Sequence, residues 1–142
     1  MCICTGKENK AVKVIDNKNY VERAEKVIVS LKNKVNPRNG RPVPMVTTSK
    51  IRNLLAMTAD IYNEVMASND ENLSSDLKAR IEYLRVHFVY ESGREAGVRN
   101  LVQEAGILEI LKSMSGTKTD YILFNRYMEA LVAFHKFYGG KD

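Results

Sequence analysis

The sequence is poor in the residues that build catalytic and metal centres. Only two of its 142 residues are cysteine and two are histidine. Cys2 and Cys4 form a C-x-C pair without a second Cys or His pair at zinc spacing, so we expect reduced, exposed thiols and no metal site. Walker-type glycine loops, H-E-x-x-H and D-x-D-x-D-G runs are also missing. These absences exclude the common motif-bearing metalloenzymes and nucleotide-binding enzymes, and no cofactor is predicted.

Long apolar runs are missing as well. No run approaches the roughly 20 apolar residues needed to span a bilayer, and the N-terminus has no signal-peptide pattern, so we expect a cytoplasmic protein without membrane contact. The three prolines fall outside the long periodic stretches, a composition that favours helices. A chain of 142 residues fits one domain with its own core.

Charge is divided unequally along the chain. Residues 1–58 hold 12 Lys and Arg against 4 acids, whereas residues 59–142 hold 10 against 13, so the overall charge of +5 is a localised basic excess. Such an excess favours a polyanionic partner, nucleic acid first and a membrane surface second. The alternative is a basic surface that only keeps the protein soluble.

Apolar residues at helical spacing predict an all-α fold, a compact single-domain bundle of about five helices. We predict helices at residues 19–36, 47–68, 74–92, 94–114 with a bend at Gly106, and 120–138. The domain spans residues 1–142, with residues 1–18 as an N-terminal tail and residues 36–46 as a basic Pro/Gly loop.

The third predicted helix has two opposed apolar stripes. Either this helix runs through the middle of the bundle, which we favour, or its second face binds a partner subunit. The first stripe contains Leu77, Ile81, Leu84 and Phe88, and the second contains Ala79, Tyr83, Val86 and Tyr90.

Two places are suited to an anion. The last predicted helix is apolar over about half its circumference, Phe137 included, and its narrow remaining face contains Asn125, Arg126, Glu129, Ala133 and Lys136. The second helix starts with hydroxyls, free backbone N–H groups and the cations Lys50 and Arg52, a combination that suits a phosphate. Simple capping with solvated cations is the alternative there.

Catalytic candidates are few. His87 and His135 lie on or between apolar stripes and are expected to pack or to form hydrogen bonds, although two histidines can act as acid and base on an RNA phosphodiester. A small ribonuclease is therefore one alternative function. A helix-turn-helix DNA reader is disfavoured, because its turn here would be acidic, with Asp70 and Glu71, between helices that are too long.

Three ordered segments resemble the small subunit of type III-A CRISPR effectors, the Csm complexes. The segments are T-T-S-K-I-R-N-L-L at residues 47–55, Y-L-R-V-H-F-V-Y-E-S-G-R-E at residues 83–95, and R-Y-M-E-A-L-V-A-F-H-K-F-Y-G-G-K-D at residues 126–142. The likeness covers residues 46–142 well and residues 20–35 loosely. One departure is Ser92, where the family motif usually has Ala.

The resemblance implies a non-catalytic, all-helical subunit that stacks in a short filament beside the backbone subunits that hold the guide RNA, in a complex that also contains a large subunit. It implies that basic residues contact the sugar-phosphate backbone of the target RNA, paired with the guide, in antiviral defence. A purely protein-binding helical scaffold is the other alternative. Carried over by position, the candidate RNA-binding residues are Lys50, Arg52, Arg85, Arg94, Arg126 and Lys136.

Overall fold

A computed structural model describes residues 15–140 of the chain and shows six helices in that range. The helices are α1 (Tyr20–Asn33), α2 (Thr48–Ala67), α3 (Ser75–Arg94), α4 (Ala96–Ala105), α5 (Ile107–Lys112) and α6 (Lys118–Phe137). The predicted all-α fold is confirmed. Cys2, Cys4 and most of the predicted tail lie outside the described residues.

The count is six because Gly106 separates α4 from α5. Its φ of 70° is left-handed, a conformation that glycine adopts without the steric cost of a side chain, and it lies at the predicted bend. No helix within residues 15–140 is long and apolar enough to cross a bilayer.

Three of the helices begin at a hydroxyl residue that caps them. The side chains of Thr47, Ser74 and Thr117 accept hydrogen bonds from the third backbone N–H that follows each of them, at 3.1, 3.1 and 3.2 Å. Each such cap stabilises its helix by about 1 kcal/mol, because it satisfies a backbone donor that has no partner inside the helix. The cap residues of α2 and α3, Thr47 and Ser74, are the residues at which the sequence prediction began these helices.

The last helix, α6, takes the central place in the bundle and packs between α1 and α2. Its contacts show that α2 runs antiparallel to it: His135 Nε2 is 2.7 Å from Val46 O at one end, and Lys118 Nζ donates to Ser68 O at 2.7 Å at the other. The start of α2 therefore lies beside the end of α6. This end of the bundle is where the loop between α1 and α2 also lies.

One residue on the predicted outer face of α6 is buried. Asn125 is 2% exposed, and its Oδ1 lies 3.2 Å from the Thr58 hydroxyl of α2. Tyr121 OH donates to Thr58 O at 2.7 Å in the same layer. The prediction for Asn125 was wrong because its amide has a polar partner on another helix, and a hydrogen-bonded amide can be buried at little cost.

The favoured interpretation of α3 as a helix buried on both faces was also wrong. Its first stripe is buried, with Phe88 meeting Phe124 of α6 edge to face at 6.5 Å. Its second stripe is exposed, at 63% for Tyr83 and 61% for Tyr90. The wide apolar arc of α6 already fills the middle of the bundle, so α3 covers one side of the core and leaves its outer face free.

Two smaller differences concern the ends of the described chain. Phe137, predicted to be buried, is 76% exposed, and its ring packs edge-on against Tyr138 at a centroid distance of 5.0 Å. Ile15 is buried in the core although the sequence prediction assigned residues 1–18 to a tail. The Asp16 carboxylate accepts the backbone N–H of Asn19 at 2.8 Å, so the core contact continues directly into the start of α1.

Candidate nucleic-acid interface

Lys50 lies in the first turn of α2 and faces α3. Its Nζ is 3.5 Å from Glu91 Oε1 and 3.2 Å from Glu95 Oε2. The hydrogen bond that Lys50 donates to Glu95 is the main cause that raises the pKa of Lys50, and the charges of both carboxylates add to it. A phosphate approaching Lys50 would also approach two carboxylates. The ion pairs therefore make Lys50 a weaker phosphate site than its position at a helix start suggests.

Arg94 belongs to the same cluster. Its guanidinium is 3.5 Å from Glu91 Oε2 and 5.6 Å from the centre of the Tyr90 ring. Lys50 and Arg94 thus share Glu91, and two cations with two carboxylates give a cluster of no net charge. Lys50 joins the start of α2 to the end of α3, whereas the pair of Arg94 with Glu91 lies within α3.

Arg85 stands apart from the other candidates. It forms an ion pair with Glu82 on its own helix at 2.8 Å. At about 100° per residue, Arg85 lies roughly 120° around α3 from Glu91, so it is not on the side that faces Lys50. The structure does not bring it together with the rest of the predicted site.

The three remaining candidates have no carboxylate partner. Arg52, Arg126 and Lys136 are exposed, and none of them makes an ion pair within residues 15–140. Arg52 lies roughly 160° around α2 from Lys50 and so points away from the carboxylates of α3. α2 and α6 are antiparallel neighbours, so Arg52 on the one and Arg126 and Lys136 on the other lie on exposed faces of adjacent helices. We call the surface that bears these three residues the α2–α6 surface.

The loop before α2 enlarges the basic region at the same end of the bundle. Between residues 26 and 59 the chain has seven cations and no acid. These cations are Lys26, Lys32, Lys34, Arg38, Arg41, Lys50 and Arg52. The sequence prediction marked the loop as basic but left its arginines out of the candidate site. The absence of acids from residues 26–59 is the sequence signal by which Arg38 and Arg41 could have been added to the candidate site.

The next stretch of the chain has the opposite charge. Residues 60–82 contain six acids and two cations, and they form the end of α2 and the first half of α3, at the far end of the bundle. The acids are Asp60, Glu64, Asp70, Glu71, Asp76 and Glu82. The described chain therefore has a basic end, at the α1–α2 loop, and a more acidic end, and a polyanion is attracted to the first.

The two histidines do not form a joint site. His135 is buried, with Nε2 on Val46 O, and it lines a cavity of about 490 Å³ between α1, the loop and the end of α6. His87 lines a separate cavity with Met57 and Arg80, and its ring packs edge to face against Tyr83 at 4.7 Å. The two cavities share no residue. This arrangement gives a two-histidine ribonuclease mechanism no common place for a substrate.

The sequence is also similar to a known protein family and to several of its members. A family model described as Csm2 Type III-A matches residues 18–141. The CRISPR system Cms protein Csm2 of Streptococcus thermophilus is 43% identical over 129 residues, which is 91% of this chain and 98% of that protein. The protein of the same name from Mycobacterium tuberculosis (strain CDC 1551 / Oshkosh) is 41% identical over 123 residues, 87% of this chain and 94% of its own.

A third relative shows the same level of similarity over a shorter region. The CRISPR system Cms protein Csm2 of Enterococcus italicus is 41% identical over 95 residues, which is 66% of this chain and 68% of that protein. The family model and two of these relatives each cover most of the chain. The chain therefore belongs to the Csm2 family of type III-A CRISPR systems.

Proposed function

We propose that this chain is a non-catalytic small subunit of the type III-A effector complex and contacts the sugar-phosphate backbone of target RNA through the α2–α6 surface. The observation that carries the proposal is the exposure of Arg52, Arg126 and Lys136 on neighbouring helices without a carboxylate partner within residues 15–140. A cation that is already paired must give up its partner before it can bind a phosphate, whereas these three need not.

The chemistry of the surface suits phosphates better than bases. Arg and Lys bind phosphate oxygens without regard to sequence, while base readout needs side chains placed against base edges. Pairing with the guide RNA supplies the specificity, so the subunit has only to hold the strand. No catalytic step is needed for this function, and we expect the complex to act in the cytoplasm.

Weak contacts repeated along a strand give firm binding. Each phosphate neutralised on a single strand adds about 0.7 to the salt dependence of binding, so one copy with three contacts binds weakly. Copies stacked in a short filament beside the guide-bearing backbone subunits and the large subunit act together, because each bound copy raises the effective concentration of its neighbour's site. An isolated copy is expected to bind RNA poorly.

The ion-paired candidates take a structural part in this proposal. Lys50 holds the start of α2 against the end of α3, while Arg94 and Arg85 are paired with carboxylates on their own helix, α3. We therefore rank them below the α2–α6 surface as RNA contacts. They remain within the candidate set, since a polyanion can displace a partly exposed carboxylate.

The test is a triple charge reversal, Arg52→Glu, Arg126→Glu and Lys136→Glu, in the assembled complex. Its control is Lys18→Glu, Lys78→Glu and Lys112→Glu, three exposed cations at the far end of the bundle. Capture of labelled target RNA is measured against salt, with thermal melting to verify folding. The first variant should lower the salt slope by about 2 per copy, from three contacts of about 0.7 each, and the control should not. Equal RNA capture by both folded variants would contradict the proposal.

The exposed stripe of α3 supports a second role, as a protein-binding face. Tyr83, Val86 and Tyr90 are each more than half exposed and follow one another at helical spacing. Tyrosine is enriched in protein interfaces because it buries a large apolar ring and keeps a polar hydroxyl. We assign this face to contact with another subunit of the complex. It lies on α3 and is compatible with RNA contact through α2 and α6.

A further inference from the structure

We propose that residues 34–43, the first part of the α1–α2 loop, form a second and separate phosphate-binding element, which holds the RNA strand through Arg38 and Arg41. We call these residues the basic arm. The inference rests on the proposed function, because the ligand is the same RNA strand, but it assigns a different set of residues and extends the contact beyond the two helices.

The arm is held in one shape by its own backbone. Asn36 N donates to Arg41 O at 2.7 Å, Gly40 N donates to Asn36 O at 2.8 Å, and Val43 N donates to Lys34 O at 3.2 Å. Gly40 has a φ of 69°, a left-handed conformation that closes the turn and favours glycine. The two chain segments of the arm therefore run back along each other and meet in a tight turn.

The asparagines fix both arginines within that turn. The side chain of Asn36 accepts from the backbone N–H of Arg38, and the side chain of Asn39 accepts from that of Arg41, each at 2.9 Å. Such hydrogen bonds between an Asn side chain and the backbone N–H two residues later restrict the conformations that the loop can adopt. Because the backbone is already ordered, binding an anion here costs less conformational entropy than binding it to a flexible basic segment.

The base of the arm is anchored to two other helices. Asn100 of α4 donates from Nδ2 to Pro44 O at 2.9 Å, and His135 of α6 contacts Val46 O at 2.7 Å. At Gly97 of α4, an added Cβ would lie only 2.8 to 2.9 Å from loop backbone atoms. The arm therefore has a fixed position relative to α6, at the end of the bundle that bears Lys136.

The tip of the arm carries positive charge that forms no ion pair in the part of the chain that the structure describes. Lys34 at the base pairs with Glu104 at 3.5 Å, but Arg38 and Arg41 are exposed and make no ion pair within the described chain. The planar guanidinium group of Arg donates pairs of hydrogen bonds that match two phosphate oxygens. Two such groups on a preformed turn suit adjacent phosphates of one strand.

A protein partner is the less favoured occupant of the arm. Protein interfaces depend on a few large apolar or aromatic anchors, and the tip sequence N-P-R-N-G-R at residues 36–41 contains none. In the described chain, two large apolar residues are exposed at this end of the bundle, Val35 (52%) at the base of the arm and Phe137 (76%) at the end of α6, and neither belongs to the tip. The composition of the tip is that of a surface that meets a hydrated, negatively charged backbone.

The experiment is Arg38→Ala with Arg41→Ala in the full chain, assembled into the effector complex with guide RNA. The probe is a labelled single-stranded RNA complementary to the guide, and its affinity is measured between 50 and 200 mM salt. Losing two phosphate contacts should lower the salt slope by about 1.4 per copy, which makes the loss of affinity over that fourfold salt range about sevenfold smaller. Lys18→Ala with Lys112→Ala is the matched control and should leave the slope unchanged.

Three outcomes decide the inference. A lower slope, with the subunit still present in the complex at its normal amount, supports the arm as an RNA contact. An unchanged slope overturns it, and so does loss of the subunit from the complex, since that result makes the arm a protein contact. The α2–α6 triple variant separates the two proposals: an arm effect without a triple-variant effect overturns the proposed surface alone, and the reverse result overturns the arm alone.

Discussion

Gly97 is the residue on which the position of the basic arm most directly depends. It lies at the start of α4, where an ideal Cβ would be 2.8 Å from Met45 C and 2.9 Å from both Met45 O and Val46 N. Cβ contacts below 3.0 Å are essentially never found in proteins, and here the neighbouring atoms belong to the backbone. They cannot rotate away as the end of a side chain can. Gly97→Ala should therefore push the loop away from α4.

The expected cost follows from three contributions. Overpacking against backbone costs about 1 to 3 kcal/mol. Movement of the loop weakens the bonds of Asn100 to Pro44 O and of His135 to Val46 O, each of which contributes about 1 kcal/mol. Replacing glycine by alanine in a helix stabilises the helix by up to about 1 kcal/mol, which offsets part of this loss. We expect a net loss of about 2 kcal/mol, which lowers Tm by roughly 6 °C in a chain of this size.

Gly93→Ala is the matched control. Gly93 is also helical, in α3, and a Cβ there has nothing within 4 Å. Its substitution should stabilise the protein by about 0.5 to 1 kcal/mol and raise Tm by roughly 2 to 3 °C, because only the helix preference changes. Thermal melting by circular dichroism, on the two variants and the parent chain, measures both effects.

Hydrogen exchange provides a local measurement beside the melting curves. Exchange at the backbone N–H of Val43, which donates to Lys34 O, should become faster in Gly97→Ala and stay unchanged in Gly93→Ala. The reasoning is refuted if Gly97→Ala melts at or above the temperature of Gly93→Ala, because the loop would then have room for a methyl group.

Two further predictions concern α3. Ser92→Ala should raise the free energy of unfolding, measured by chemical denaturation, by about 1 to 2 kcal/mol. The Ser92 hydroxyl is buried without a hydrogen-bond partner in the described chain, and Ala is the better helix former. A lower denaturation midpoint for the variant would show that the hydroxyl has a partner. The double variant Tyr83→Ser, Tyr90→Ser should reduce incorporation of the subunit into the effector complex, measured by native mass spectrometry. Its melting temperature should stay within about 2 °C of the parent, since both rings are exposed. Normal incorporation would show that α3 is not part of the subunit interface.

Most of the fold could be predicted because local sequence patterns determine where its helices begin, bend and end. Hydroxyl caps mark the starts of α2 and α3, the helical spacing of apolar residues marks their lengths, and Gly106 marks the bend between α4 and α5. Periodicity says which side of a helix is apolar, but it does not say which helix will cover that side. Both stripes of α3 looked alike in the sequence, and only packing against α2, α4 and α5 separated them.

The buried Asn125 shows a second limit of the same kind. A polar residue is assigned to the surface unless a partner is known, and its partner Thr58 is 67 residues away along the chain. What the sequence lacked was the register between α2 and α6, which places a hydroxyl against the amide.

The candidate site was harder to predict than the fold, because charge on a residue does not show whether the charge is available. Lys50 and Arg52 are two positions apart in one motif. Lys50 pairs with Glu91 of α3 and with Glu95, which follows that helix, whereas Arg52 forms no ion pair within residues 15–140. The distinction depends on pairs about forty residues apart. A prediction based on motif position therefore includes every cation of the motif, and the structure is needed to show which cations are paired with carboxylates.

The division of surfaces explains how one small subunit can serve both RNA and protein partners. The available cations lie on α2, α6 and the basic arm, with Arg52, Lys136 and the arm at the end of the bundle that bears the α1–α2 loop and Arg126 near the middle of α6. The chain has no acid between residues 26 and 59. The exposed tyrosines lie on α3, and α2 packs against both α3 and α6. An RNA strand held at the first surface leaves the second free for a neighbouring subunit. Because the two surfaces share no residue, changes in RNA affinity and changes in assembly should be separable by mutation, which a single mixed interface would not allow.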